Sequence, residues 1–114
     1  MSNYDQELVS ALSTVLPTYY ELALTSKTQT PCISWQERNN YHTAIGDTLG
    51  YSFISFTVKV WGNKIAELME YAKQIDAVLR PLGFKLISSS ELYDINSTMI
   101  QKILTFEVLA KEEY

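Results

Sequence analysis

The sequence predicts an α+β domain, a mainly antiparallel sheet with two helices packed on one face. From Tyr51 to Trp61, YSFISFTVKVW alternates, with Ile54, Phe56, Val58 and Val60 on one side and Ser55, Thr57 and Lys59 on the other. That is the period of two of a half-buried strand. Between Gly62 and Gly83, Ile65, Leu68, Met69, Ala72, Ile75, Val78, Leu79 and Leu82 recur at helical spacing, the stripe of an amphipathic helix. The order of elements is helix, three strands, helix, two strands, which suits antiparallel hairpins with helices on one layer.

The first helix is expected over Tyr4–Leu16, where Leu8, Val9, Leu12, Val15 and Leu16 share a face. Ser2 or Asn3 can cap it, Asp5 and Glu7 suit its positive end, and Pro17 stops it. Thr18–Leu24 (TYYELAL) is expected as a strand, although Glu, Leu and Ala also form helices. The polar run 25–30 is a loop closed by Pro31. Cys32–Tyr41 is expected to be extended, with Ile33, Trp35 and Glu37 on one face and Cys32, Ser34 and Gln36 on the other. Asn39-Asn40 is either a bulge or the start of a polar loop running to Gly50, a length beyond a tight hairpin turn.

The strand Tyr51–Trp61 also carries Phe53 and Trp61 on its outer face. Several aromatics there imply a second burial, against a partner chain or a returning loop. Asn63 is the expected N-cap of the long helix, and Pro81 with Gly83 ends it. Phe84–Ser88 is expected as a short strand and Ser88–Ser97 as a polar turn anchored by Leu92, Tyr93 and Ile95. Thr98–Leu109 forms the last strand, with Ile100, Leu104, Phe106 and Val108 on one face and Lys102 as the odd member.

A chain of 114 residues suits one domain, large enough to bury roughly two-thirds of its unfolded surface. Nine basic against thirteen acidic residues leave a net charge of -4, which opposes binding to duplex DNA or an anionic membrane. The single cysteine, Cys32, excludes an internal disulfide and a cysteine-based zinc site. No apolar run reaches the ~20 residues of a membrane-spanning helix, and the polar, acidic start MSNYDQELVS does not resemble a secretory signal.

The residue types that carry chemistry are sparse. His42 has Asp47 nearby in sequence, but no nucleophile is placed beside it, so it is a solvated loop histidine. Cys32 lacks the basic neighbours of a reactive thiolate. Gly46 and Gly50 match no phosphate-binding spacing and precede a strand rather than a helix. Asp47 suits an Asx-turn there. Glu67, Glu70 and Asp76 fall on the wet face of the long helix. Tyr19, Tyr20, Trp35, Tyr41, Tyr51 and Trp61 could stack bases, but only Arg38 and Lys59 are interleaved with them. Such aromatics equally suit a protein interface. No catalytic residue, cofactor or metal ligand is expected. The candidate interface residues are His42, Ile45, Asp47, Leu49, Tyr51, Phe53 and Trp61.

The Tyr-rich strand YYEL, the segment PCISWQERNN, the run GDTLGYSFISFTVKVWG leading into a helix that ends VLRPLGF, and the final QKILTFEVL together resemble one protein family. It is the tail terminator, or tail-to-head joining, family of long-tailed bacteriophages of Gram-positive hosts. The resemblance covers nearly the whole chain and rests on fold and composition patterns. It implies a structural virion protein, hexameric in ring form, that caps the tail tube and joins it to the head connector. It implies no enzyme activity and no cofactor. The implied partners are further copies of the chain, the tail tube protein and the connector or stopper. DNA would pass through the lumen without sequence-specific binding, and assembly would occur in the bacterial cytoplasm. In such rings the loop His42–Gly50 would be mobile in the free subunit and ordered by neighbours. A head-completion stopper or tail tube protein is an alternative, and a small cytoplasmic ligand-binding domain is another.

Overall fold

The apolar stripes dictate two layers. The computed structural model describes residues 3–25, 27–45, 48–95 and 98–111. Helix α1 spans Asn3–Ser13 and helix α2 Ile65–Leu79. The strands are β1 Thr18–Tyr20, β2 Cys32–Ile45, β3 Thr48–Gly62, β4 Lys85–Asp94 and β5 Met99–Lys111. They form one sheet in the order β1-β2-β3-β5-β4. Only the β1–β2 pair is parallel. Both helices pack on one face of this α+β sheet, as the sequence predicts.

The core lies where the three long strands run under the helices. Phe56 pairs with Phe106, Val58 with Leu104 and Ile54 with Val108 across β3 and β5. Leu8 and Leu12 of α1 and Leu68, Ile75 and Leu79 of α2 close over them, all buried. Phe56 sits between Trp35 and Phe84, at ring-centroid distances of 6.4 and 5.8 Å. Aromatic pairs at such spacing add to plain area burial.

Several elements differ from the sequence expectation, each for a physical reason. Helix α1 ends at Ser13, three residues early, and 14–16 form a turn in which Thr14 Oγ1 donates to the Ala11 carbonyl at 2.6 Å. Pro17 pushes the residue before it out of the helical region. The strand expected over Thr18–Leu24 stops at Tyr20, and Glu21–Ala23 coil into a 3-10 turn, the helix formers prevailing. Asn63 is not the cap of α2. Lys64 holds that position without a side-chain bond, and its carbonyl accepts the Leu68 N–H at 3.1 Å. The end of the helix is as expected: 80–82 tighten to a 3-10 turn and Gly83 closes it at φ 94°, a conformation that favours glycine. Ile65, Met69 and Leu82 extend the apolar stripe but remain exposed.

The two largest corrections concern the expected loops. Of the two readings of Asn39-Asn40 the bulge is found, within a segment expected to be extended to Tyr41, and the loop expected beyond Tyr41 is strand at 42–45 and 48–50. The β2–β3 ladder, bulged between Glu37 and Asn39, continues to an Ile45–Thr48 pair. Asn39-Asn40 therefore begin the strand beyond a bulge. Backbone pairing of β-branched Thr43, Ile45 and Thr48 carries a ribbon that polarity alone had suggested was a loop. The turn assigned to 88–97 is strand up to Asp94, and its supposed anchors Leu92, Tyr93 and Ile95 are exposed. The helix thus delivers the chain to the sheet margin, where β4 lies outermost beside β5.

The ribbon sets the shape. The radius of gyration is 15.1 Å, against about 13 Å for a compact domain of this length. The longest extent is 51 Å, matching the roughly 50 Å reach of a strand as long as β3.

Candidate functional site

Of the candidate interface residues, five sit on the ribbon. His42 pairs with Ser52, Ile45 with Thr48, Leu49 with Ala44, Tyr51 with Thr43 and Phe53 with Tyr41. Asp47, and with it the Asx-turn, lies outside the described residues. The β3–β5 ladder begins at Tyr51, so the positions 43–45 and 48–50 project past β5 as a two-stranded tip.

Trp61 is separated from that tip by the length of β3, and its own chain engages it. It pairs with Cys32 and Gln101 on the sheet face away from the helices. Its Nε1 donates to Ser34 Oγ at 2.8 Å, and the Lys59 ammonium lies 5.9 Å from its ring centroid. Lys59 in turn pairs with Glu21 at 2.7 Å. Of the two alternatives for covering the outer-face aromatics, a partner chain or a returning loop, it is the loop before β2 that lies beside Trp61: Leu24, Thr25, Thr28 and Thr30 flank the indole, which is half-buried.

Beside Trp61 this segment leaves a recess of about 410 Å³, lined by residues that include Leu24, Thr28, Cys32, Trp61, Met99 and Gln101. Cys32 is buried at its floor, and burial pushes its thiol above the ordinary value. A protonated, desolvated thiol is a poor nucleophile. Besides the thiol and the Trp61 N–H, the polar groups here are threonine hydroxyls, the Gln101 amide and the Asp94 carboxylate, an assembly with no paired acid and base. Among the described residues, no group of three or more His, Cys, Asp or Glu is placed to hold a metal ion. No helix among them is long and apolar enough to cross a membrane.

A long exposed surface lies on β4, a segment whose residue pattern suggests a turn from Ser88 onward. Every residue of β4 is exposed, including Leu86, Ile87, Leu92 and, at 60 % exposure, Tyr93. Its ladder with β5 places Leu86, Ser89, Glu91 and Tyr93 on the helix side and Lys85, Ser88, Ser90, Leu92 and Asp94 on the other, with a bulge at Ile87. Helix α2 does not reach over it. A groove of about 210 Å³ separates them, lined in part by Met69, Ala72, Leu86 and Ser89. Lys102 of β5 is 8 % exposed at the foot of this groove. Its ammonium donates to Glu91 Oε1 at 2.7 Å and Ser89 Oγ at 3.2 Å. The odd member of the β5 face is thus a buried cation that fastens the outermost strand. A signal for β4 was present: no Gly, Pro or Asn falls between Gly83 and Asn96, an unusual composition for a turn region.

A second cluster of charge lies under α1. Asp5 is buried, and Glu37 is held above its ordinary value by burial and then by the Asp5 carboxylate.

No family model matches this chain, and no curated protein matches it.

Proposed function

We propose that the chain is a structural subunit of a long-tailed bacteriophage, a tail terminator whose ring caps the tail tube and joins it to the head. The observation that carries the reading is the presence of two different strand surfaces on opposite margins of one sheet. On one margin is β4, exposed along its whole length. On the other, β2 pairs with β1 only from Ile33 to Trp35, so its outer edge beyond Trp35 has no strand neighbour among the described residues. A rotationally closed ring needs two unlike, complementary patches on each subunit. The projecting β2–β3 tip adds a third surface, suited to a neighbour or to the tube below. The resemblance of the YYEL, PCISWQERNN, GDTLGYSFISFTVKVWG and QKILTFEVL segments supplies the specific place in the virion and the hexameric count.

The test is growth of tail tubes in vitro, followed by electron microscopy. Added protein should cap one end of each tube and stop elongation. On assembly, amide exchange at 42–45 and 48–50 should slow. Tubes that elongate unchanged, with no protein at their ends, would sink the reading. Heads that leak DNA when the protein is missing, with tails of normal length, would place it at the stopper instead.

A further inference from the structure

We propose that β4 pairs antiparallel with β4 of a second copy, forming a two-fold dimer centred on Ser90. The strand is ten residues long, outermost in the sheet, exposed throughout, and covered by neither helix. Edge strands are templates for pairing unless they are short, covered, charged or bulged; β4 carries a bulge at Ile87 and charges at Lys85, Glu91 and Asp94, so its pairing depends on a partner whose charges complement these.

The occupant follows from the strand's own pattern. A two-fold axis perpendicular to the sheet keeps both pairs of helices on one side, so each residue must face one from the same side of its partner strand. The β5 ladder assigns those sides and counts Ile87 as the extra residue of a bulge. Centred on Ser90, the register sets Lys85 of one copy opposite Asp94 of the other, and Leu86 opposite Tyr93. Ser88 meets Leu92, Ser89 meets Glu91, and Ser90 meets itself.

Each end of the contact thus holds one opposite-charge pair and one aliphatic–aromatic pair, the cross-strand pairs that stabilise antiparallel strands. Neighbouring registers lose this. Centring on Ser89 sets Lys85 opposite Leu92 and Leu86 opposite Glu91. Centring on Glu91 opposes two carboxylates on the axis. Charge complementarity therefore selects the same strand of a second copy, in one register. Asp94 contributes charge to its pair whatever local hydrogen bonds its carboxylate holds.

The contact is isologous and closes at two copies, so it differs from the head-to-tail contacts of a ring. In a ring-forming subunit it would cover the β4 margin until assembly exchanges it for a ring neighbour. That last clause rests on the terminator reading; the dimer does not.

The experiment measures mass by light scattering and sedimentation over a concentration series, with far-ultraviolet circular dichroism to confirm folding. The expected result is a monomer–dimer equilibrium. Lys85→Asp and Asp94→Lys should each raise the dissociation constant by about tenfold or more, because every dimer then holds two like-charge pairs. The double variant Lys85→Asp/Asp94→Lys should restore it. Ser90→Lys, which opposes two ammonium groups on the axis, should leave a folded monomer. A wild-type monomer at high concentration would overturn the inference. So would a dimer indifferent to the single reversals, or one weakened by them and not rescued by the double variant. Tube capping is read separately, so failure of the dimer leaves that result intact.

Discussion

Strands β3 and β4 belong to one sheet and meet opposite fates. β3 alternates buried and half-buried residues from Phe53 to Trp61, with Phe56, Val58 and Val60 fully enclosed. β4 is exposed at every position, yet it holds nine register partners in β5. The first strand is specified by what it buries, the second by the neighbour it hydrogen-bonds. Stability should therefore be concentrated in β3, while β4 keeps its side chains available for contact.

The largest expected effect tests that division. Phe56→Ala empties the site between Trp35, Phe84 and Phe106 and should cost about 3–5 kcal/mol of unfolding free energy. Leu92→Ala, on the exposed side of β4, should stay within about 0.5 kcal/mol in dilute solution. Urea denaturation of both variants measures the contrast. Similar losses would mean that β4 contributes to the core and would break the comparison.

The same division explains what could be read from residues alone. Burial on one side leaves a period in the sequence, so β3, α2 and β5 were legible from Ile54–Val60, Leu68–Leu79 and Leu104–Val108. The α+β class followed from these. Backbone pairing leaves a weaker mark. Ser88–Ser90 have poor strand propensity, and they become strand because the β4–β5 ladder runs through them, setting Ser88, Ser89 and Ser90 opposite Thr105, Leu104 and Ile103. The ribbon was legible as far as Tyr41, with a bulge among the readings at Asn39-Asn40; from His42 to Ile45 its pairing with β3 leaves no mark in the residue pattern. Of the candidate interface residues, His42, Ile45, Leu49, Tyr51 and Phe53 fall together on the ribbon, while Trp61 lies apart from them and is held by Ser34 and Lys59. Lys102 breaks the apolar pattern of β5 visibly, while its partner Glu91 lies in a segment whose polar composition suggests a turn.

That pair is where the two regions are fastened, and it gives an intermediate effect. Lys102 is almost enclosed, whereas the Glu91 side chain is 46 % exposed. The two removals are therefore unequal. Glu91→Ala leaves a buried ammonium with only Ser89 Oγ to receive it and should cost about 1–3 kcal/mol. Lys102→Met keeps the stem's packing and returns Glu91 to water, so it should cost less. Thermal unfolding of both variants checks the order. If Lys102→Met proved the more damaging, the pair would be contributing net attraction across β4 and β5, and the outer strand would be less independent than its exposure suggests.

The smallest effect lies at Glu37, where β2 passes from core to ribbon. Glu37 pairs with Phe56 immediately before the bulge, and α1 brings the buried Asp5 carboxylate near it. Burial, then Asp5, raises its value in the folded state. A folded-state value above the unfolded one means that the folded chain binds this proton more tightly. The stabilisation is then full below the ordinary glutamate range, near pH 4.3, and is lost as pH rises through the raised folded value. Glu37→Gln fixes the neutral form at all pH. The variant should match the wild type in acid and become the more stable of the two as pH approaches 7. Paired urea midpoints across that range read the difference directly, with the other carboxylates cancelling between the two proteins. Parallel midpoint curves would show that Glu37 is solvated in the folded state, and would move the limit of the enclosed part of β2 inward, toward Trp35.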